Sequence, residues 1–329
     1  MKKMTNLAKV VIALVLVVAL AVAAFFIFRQ EKQTVIGILQ FVQHPALDAA
    51  REGFLKGLAE AGFEDGKNIK INYQNGQASQ DTTSSIADKF VADKVDLVLG
   101  IATPAVLAIA GKTETIPILG TAVTDYVEAK LIQSNEKPGL NVSGTTDMNP
   151  VEEQIALILR FLPQAKTVGL LYTGSEINSQ LQARLAKAEI ERLGMQVVEV
   201  TVNNSNDVQQ AALSLVEQVD VIYVPTDNVI ASAMPIVAEA ALAKKIPIAC
   251  GEAGMVRSGG TFTLGIDYFK LGKQTGVMAA DILKNKAKVA DMPIQRQSEF
   301  EFLVNKTFCD EIGLAIPEDL LPFAEEIGK

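Results

Sequence analysis

The chain has 329 residues, of which 49% are hydrophobic and 21% are charged. This length allows two or three domains with large cores, and the composition excludes a small disulfide-stabilised scaffold and a disordered protein. There are 38 Asp and Glu against 30 Lys and Arg, and no basic cluster interrupts the body of the chain, so we expect no nucleic-acid binding. One His and two Cys are too few for a zinc site built from those residues, and we expect neither a metal nor a cofactor.

The N-terminal segment has the features of an export element. Three Lys precede 19 consecutive apolar residues at 10–28, and Arg29 follows them. As a helix this run reaches about 28 Å, close to the thickness of a bilayer core, and the preceding positive charge favours a cytoplasmic N-terminus. An Ala-Val-Ala string at 21–23 offers a signal-peptidase site, although cleaved signals usually have a shorter apolar region. We expect residues 1–32 to be a signal or anchor segment, retained rather than cleaved, with residues 33–329 outside the cytoplasm.

Short β-branched runs alternate with longer amphipathic stretches after residue 32, a pattern typical of parallel sheets covered by helices. The predicted strands are 35–39, 69–73, 97–100, 116–119, 142–145, 168–172, 197–202, 221–224, 246–249, 261–264 and 300–304. The predicted helices include 47–61, 82–92, 152–161, 179–193, 229–244 and 271–283. These strands are too many for one doubly wound sheet, so the sequence predicts an α/β protein with two Rossmann-like lobes.

The two halves repeat one supersecondary plan. In each half a Val-Asp strand leads to a Thr-containing loop, a helix and an Ile-Pro-Ile strand, at 95–118 and again at 219–248. Ligands of open α/β sheets bind beyond the carboxyl ends of the strands. We therefore expect the binding residues in loops 101–104, 121–125, 226–228 and 251–254.

The loop at 101–104 has the form of a carboxylate site. Thr103 stands where an N-cap residue would, with Pro104 at the first helical position. Free N–H groups and the helix dipole attract an anion there, and the Thr hydroxyl adds a donor. A capped helix without a ligand explains the same residues, and both interpretations stay open.

Acidic residues in the matching loops suit an ammonium group. Asp227 and Glu252 follow successive strands of the second half, and Asp125 follows the corresponding strand of the first. One or two of them facing a carboxylate-binding helix start would recognise a zwitterionic amino acid. Asp227 precedes an apolar helical stretch, so a simple helix cap is an equally good interpretation.

No motif supports an enzyme. His44 is the only imidazole for a hydrolytic triad, and no G-x-S-x-G elbow accompanies it, so we predict that it lines a cleft. Neither a dinucleotide-binding nor a P-loop string occurs. Export would permit a disulfide between Cys250 and Cys309, but two separate buried thiols are the preferred interpretation.

Several strings resemble a known family. Residues 37–40 (GILQ), 96–100 (DLVLG), 226–228 (TDN) and 265–276 (GIDYFKLGKQTG) are similar to the substrate-binding components of ABC importers with the type I periplasmic-binding fold. Within these, the chain resembles the branch associated with tryptophan, tyrosine and phenylalanine uptake, over residues 33–325. The resemblance implies a monomer that captures an aromatic amino acid between two lobes joined by three crossovers, closes by a hinge, and is recognised by a permease and its ATPase.

The resemblance also implies boundaries and site residues. The first lobe would comprise 33–148 and 257–290, and the second 149–256 and 291–329. The implied ligand-binding residues are Gln43, His44, Ala102, Thr103, Thr121, Ala122, Val123, Tyr172, Thr173, Thr226, Asp227, Asn228, Glu252 and Asp267.

Within that set, Thr103 and Thr121 would capture the carboxylate. Asp227 or Glu252 would capture the ammonium. The aromatic ring would pack on one of three residues, namely Phe41, Leu47 or Tyr172.

Two departures from the family leave alternatives open. Many relatives carry a lipid-modified Cys after the apolar run, which is missing here, and the chain has no Trp for a stacking wall. The alternatives are an extracytoplasmic enzyme, an extracytoplasmic ligand sensor, and a binding protein for another solute such as a branched-chain amino acid or a sugar.

Overall fold

The computed structural model describes residues 33–328. The strands are β1 (Thr34–Gln40), β2 (Ile69–Asn75), β3 (Leu97–Ile101), β4 (Ile118–Val123), β5 (Val142–Thr146), β6 (Thr167–Thr173), β7 (Gln196–Val202), β8 (Val221–Val224), β9 (Ile248–Cys250), β10 (Phe262–Gly265), β11 (Gln295–Arg296), β12 (Glu301–Asn305) and β13 (Ala324–Glu325). The α-helices are α1 (Pro45–Glu60), α2 (Gln80–Ala92), α3 (Thr103–Ala110), α4 (Val151–Phe161), α5 (Ile177–Arg192), α6 (Val208–Leu215), α7 (Asn228–Ser232), α8 (Met234–Lys244), α9 (Ala253–Arg257), α10 (Tyr268–Asn285) and α11 (Lys306–Ile312).

Two sheets organise these elements into two lobes. The first sheet has the order β11-β5-β4-β3-β1-β2 and is parallel throughout its pairs. The second has the order β13-β12-β10-β9-β8-β6-β7, and its β10–β12 pair is antiparallel. Strands β3, β4, β8 and β9 are buried along their whole length, as expected for central parallel strands covered by helices on both faces.

The repeated plan predicted from sequence is confirmed. Both sheets contain the same five-strand order, β2-β1-β3-β4-β5 in the first and β7-β6-β8-β9-β10 in the second. Each predicted strand overlaps an observed one. The helix predicted at 229–244 is two helices, α7 and α8, which meet at Ala233 just before Pro235, because proline lacks the N–H that would continue the hydrogen-bond ladder.

The sheets correct two of the predicted lobe boundaries. Strand β10 lies in the second sheet, although residues 257–290 were expected in the first lobe. Strand β11 pairs with β5 in the first sheet, although residues 291–329 were expected in the second lobe. The chain therefore crosses between the sheets at about residues 147–150, 266–267 and 297–300. The two-residue strand β11 is too short to show a hydrophobic period, so the sequence carried no signal for it.

Two further sequence predictions concern the cysteines and the N-terminus. Cys250 on β9 and Cys309 on α11 are buried free thiols, which confirms the preferred interpretation. Burial raises the pKa of the Cys309 thiol to about 12. The predicted export segment at 1–32 lies outside the described residues. Among residues 33–328, no helix has both the length and the apolar character required to cross a bilayer.

Candidate ligand-binding cleft

The carboxyl ends of the two sheets face each other across a nearly closed cavity. Its free volume for water-sized spheres is about 10 Å³, room for one water molecule at most. Loops from both lobes and the first crossover line it, and their polar side chains are almost completely buried. The lining residues include His44, Ala122, Asp147, Asn178, Asp227 and Glu252.

A wider groove lies beside this cavity. Its volume is about 760 Å³. Both lobes contribute apolar side chains to its wall, among them Phe41, Leu107, Ile177 and Val229. Asn178 lines the groove as well as the inner cavity, so the two spaces are neighbours at this residue.

Strained backbone marks the cleft side of the first lobe. Ala102 has φ 81° and Ala122 has φ 56°, a region in which alanine is uncommon. Ala102 follows β3, and Ala122 lies at a bulge near the end of β4. Such conformations cost about 1–3 kcal/mol and cluster at binding sites.

The start of α3 differs by one residue from the prediction. Ala102 is the N-cap, and Thr103 is the first helical residue, followed by Pro104. The side chain of Thr103 is buried, and its Oγ1 has no hydrogen-bond partner within the described chain. This hydroxyl at the positive end of the helix dipole remains available to a carboxylate, whereas the Ala105 and Val106 N–H groups already donate to the Ala102 carbonyl.

The second residue expected to bind the carboxylate is already engaged. Thr121 Oγ1 accepts a hydrogen bond of 3.1 Å from Thr145 Oγ1, inside the first sheet. Val123 is also buried within this sheet, and its carbonyl accepts from the Asp147 N–H. Of these two threonines, only Thr103 has a side-chain oxygen without a hydrogen-bond partner in the described chain.

Asp227 is a helix cap that also joins two elements of the second lobe. Its Oδ1 accepts from Ile230 N at 2.9 Å, and this bond caps α7. Thr173, at the end of β6, donates its N–H at 2.6 Å to Oδ2 and its hydroxyl at 2.8 Å to Oδ1. Burial raises the pKa of Asp227, while these donors oppose the shift.

Glu252 has the same role at the start of α9. Its Oε1 accepts from Met255 N at 2.9 Å, and its Oε2 accepts from Gly254 N. The side chain is buried, and burial raises its pKa to about 7.

Two further buried carboxyl groups escaped the sequence analysis. Glu176 follows β6 and accepts from Val229 N at 3.1 Å and from the Asn178 side chain at 3.1 Å. Asp147 lies on the first crossover, and Tyr268 Oη donates to its Oδ2 at 2.8 Å. Both residues follow strands at the carboxyl edge, so the rule applied to Asp227 would have found them.

His44 links the lobes across the cavity. Its Nε2 lies 3.4 Å from Oδ1 of Asn228 on α7. Burial lowers the pKa of His44 to about 4, so the ring is neutral and supplies no positive charge to the acidic groups around it.

The remaining candidates lie around the cleft or away from it. Gln43 is exposed, and Thr226 lines the inner cavity. Asp267 caps α10 through Lys270 N and lies outside the inner cavity. The structure does not bring Tyr172 to the cleft, because its hydroxyl donates to Glu199 on the outer strand β7. Of the three proposed ring contacts, Leu47 lines the cavity and Phe41 the groove.

The buried acids predict a pH-dependent stability for the ligand-free protein. Burial and the nearby Asp227 raise the pKa of Glu176 to about 8, and burial raises that of Glu252 to about 7. Both groups are ionised in the unfolded chain at neutral pH, so the folded protein binds more protons and its stability falls as pH rises through 7 and 8. His44 has the opposite effect only below its ordinary pKa of 6.5.

The measurement is the melting temperature between pH 6.5 and about 7.5, because above this range the two cysteine thiols, whose pKa values burial raises, ionise in the unfolded chain and also lower the stability. We expect the wild type to lose stability by roughly 1 kcal/mol per pH unit and Glu176→Gln to lose less. Glu311→Gln, at an exposed position, is the control and should keep the wild-type slope. If stability fell equally with pH in all three proteins, the raised pKa of Glu176 would not be the cause of the pH dependence.

Comparisons with known proteins identify the family. The family profile described as "ABC transporter substrate binding protein" matches residues 35–327. A tyrosine-binding protein from Clostridioides difficile (strain R20291) is 46% identical over 276 residues, which are 84% of this chain and 80% of the relative.

Two solved structures are also similar. An ABC domain in complex with L-Trp from Streptococcus pneumonia is 38% identical, with a TM-score of 0.86, and the match covers 90% of this chain and 100% of that chain. A ligand-free, open substrate-binding protein with adhesive properties from Clostridium difficile is 45% identical, with a TM-score of 0.68 and coverages of 90% and 100%. These matches span both lobes, as does the family profile. The chain therefore belongs to the family of ABC transporter substrate-binding proteins, which bind a ligand and are not enzymes.

Proposed function

We propose that this protein captures an aromatic L-amino acid between its lobes and, once closed, delivers it to the permease and ATPase of an ABC importer. The observation that carries the proposal is the chemistry of the inner cavity. Its lining in the described chain is rich in carboxyl and amide groups and contains no Lys or Arg. A ligand that brings an ammonium group would supply the missing donors and positive charge.

The other end of the ligand has a matching environment. The unpartnered hydroxyl of Thr103, at the positive end of the α3 dipole, suits a carboxylate. The groove beside Thr103 has an apolar wall that includes Phe41 and Val229. An aromatic ring packs well on such a wall.

The conformation supports a hinge mechanism. The structure is more similar to the relative in complex with L-Trp than to the open, ligand-free relative, although the open relative has the higher sequence identity. The inner cavity is closed, and contacts such as His44 to Asn228 and Gln182 to Thr124 join the lobes. Rotation about the three crossovers would separate these contacts and admit a ligand.

The proposed protein acts outside the cytoplasm as a monomer with two lobes and an N-terminal anchor. Family membership implies a location outside the cytoplasm. We assign residues 33–146 and 268–296 to the first lobe and 150–265 and 301–328 to the second, with residues 10–28 as the membrane anchor. A monomer is sufficient, because both walls of the cleft come from one chain.

The test is a thermal-shift screen against the twenty amino acids, several sugars and dipeptides, followed by calorimetric titration. A ligand at 100 times its dissociation constant stabilises the folded state by about 2.7 kcal/mol. We expect shifts with tyrosine, tryptophan or phenylalanine, together with a smaller radius of gyration in X-ray scattering. A response to branched-chain amino acids or sugars alone would overturn the ligand class, and no response to any of them would favour the sensor alternative.

A further inference from the structure

The buried carboxyl groups of the cleft differ in how far their oxygens are already used. Asp227, Glu176 and Glu252 each have both oxygens hydrogen-bonded to donors of the second lobe. In all three cases the donors include backbone N–H groups in the first turn of α7 or α9. These acids therefore have a complete structural explanation as helix caps, independent of any ligand.

Asp147 is the exception. Its side chain is 1% exposed and lines the inner cavity. Oδ2 accepts from Tyr268 Oη, but Oδ1 has no donor in hydrogen-bonding geometry in residues 33–328. Burial raises the pKa of Asp147, and the Tyr268 and Thr124 hydroxyl groups oppose this shift. A buried carboxylate oxygen without a donor is unfavourable, so a partner that is not part of the described chain is expected at this atom.

The amides next to Asp147 also present free acceptors. Asn178 lines the same cavity, is 4% exposed, and its Oδ1 is unpartnered in the described chain. Its Nδ2 donates to Glu176 Oε2 and to the Thr226 carbonyl, so exchanging the amide oxygen and nitrogen would break these bonds. Asn149, two residues after Asp147, likewise has an unpartnered Oδ1.

We propose that Asp147, on the first crossover between the lobes, is the carboxylate that binds the ligand's ammonium, with the Asn178 side-chain oxygen as its partner from the second lobe. This inference rests on the proposed function and replaces Asp227 and Glu252 as the ammonium-binding residues. An ammonium group offers three donors and a positive charge, which suit an acidic site with unpartnered acceptor oxygens on Asp147 and Asn178.

The position of Asp147 gives the ammonium a second role. Tyr268 begins α10 of the first lobe and holds one oxygen of Asp147, whereas Asn178 belongs to α5 of the second lobe. A ligand nitrogen between Asp147 and Asn178 would therefore join the two lobes beside a crossover. Ligands without an amine would lose both the charge pair and this connection, so Asp147 determines the requirement for an amino group.

The experiment compares L-tyrosine with 3-(4-hydroxyphenyl)propionate, the same molecule without its amine, by calorimetric titration of the wild type and Asp147→Asn. We expect the wild type to prefer tyrosine by at least about 30-fold, because a buried charge pair is lost with the analogue. Asp147→Asn should weaken tyrosine binding by about 30-fold or more and leave binding of the analogue unchanged.

Two controls separate binding from folding. The amide oxygen in Asp147→Asn would still accept the Tyr268 hydrogen bond, and the substitution removes a buried acid, so we expect the ligand-free melting temperature of this variant to equal or exceed that of the wild type. Asp227→Asn should lower the melting temperature and affect both ligands by the same factor, which leaves the tyrosine preference unchanged.

The outcomes distinguish this inference from the proposed function. A wild type that binds neither compound, nor tryptophan nor phenylalanine, overturns the proposed function. A wild type that binds tyrosine while Asp147→Asn keeps the full preference for the amine overturns the role of Asp147. Loss of the preference in Asp227→Asn would return the ammonium site to Asp227.

Discussion

We expect Gly272→Ala to destabilise the protein by more than about 3 kcal/mol, because it inserts a methyl group between two helix backbones. A Cβ at Gly272 on α10 would lie 1.8 Å from the Ala50 carbonyl oxygen of α1. Gly53 of α1 is packed equally closely against the backbone of α10, because a Cβ there would lie 2.0 Å from the Phe269 carbonyl oxygen. Backbone atoms cannot rotate away as side chains do, so the helices must separate.

The measurement is the free energy of unfolding in urea, with Gly111→Ala as the matched control. Gly111 follows α3 with φ −69°, and a Cβ there has its nearest neighbour at 3.4 Å. Alanine gains about 1 kcal/mol over glycine within a helix, so the control should be neutral or slightly stabilising. If both variants unfold at the same urea concentration, the backbones of α1 and α10 are not in close contact at Gly272.

Asp227→Ala should cost about 2–4 kcal/mol of stability and abolish high-affinity ligand binding. The substitution leaves the Thr173 N–H, the Thr173 hydroxyl and the Ile230 N–H without their acceptor. Each unpaired buried group costs about 1–3 kcal/mol, and the removal of repulsion with Glu176 recovers part of the loss. Binding fails because the start of α7, which carries Asn228 at the cleft, is released.

A second helix cap on the rim provides the control. Asp267 caps α10 through Lys270 N at 3.0 Å, and its side chain is 28% exposed. Asp267→Ala should therefore cost only about 1 kcal/mol, the usual loss for an exposed N-cap, and should leave ligand affinity unchanged. The measurements are chemical denaturation and calorimetric titration of both variants. Equal losses of unfolding free energy and of ligand affinity in the two variants would show that Asp227 is an ordinary cap.

The predicted strands and the repeated plan of the two lobes follow from local sequence. Runs such as residues 97–100 and 221–224 are short, apolar and β-branched, and buried parallel strands require this composition. Placing the candidate site at the carboxyl edge also needs only strand direction. That rule brought His44, Thr103, Asp227 and Glu252 to the cleft.

The use of each polar side chain depends on partners far away in the chain. Asp227 is 54 residues from Thr173, and Tyr268 is 121 residues from Asp147. A sequence shows that a residue has a carboxyl group but not whether its oxygens are already bonded. The same limit applied to Tyr172, whose strand position was predicted correctly but whose side chain faces Glu199.

By itself the sequence determined the α/β class, the two similar halves, and the acidic character of the loops at the site. Hydrophobic periods and strand-end residues are local properties, so one chain is enough to find them. Only the tertiary structure decided that β10 belongs to the second sheet and β11 to the first. It also decided that Asp227 and Glu252 cap helices and that one oxygen of Asp147 has no hydrogen-bond partner in the described chain. These features depend on which distant groups meet when the sheets assemble, and pairings of that kind leave no periodic pattern in the sequence.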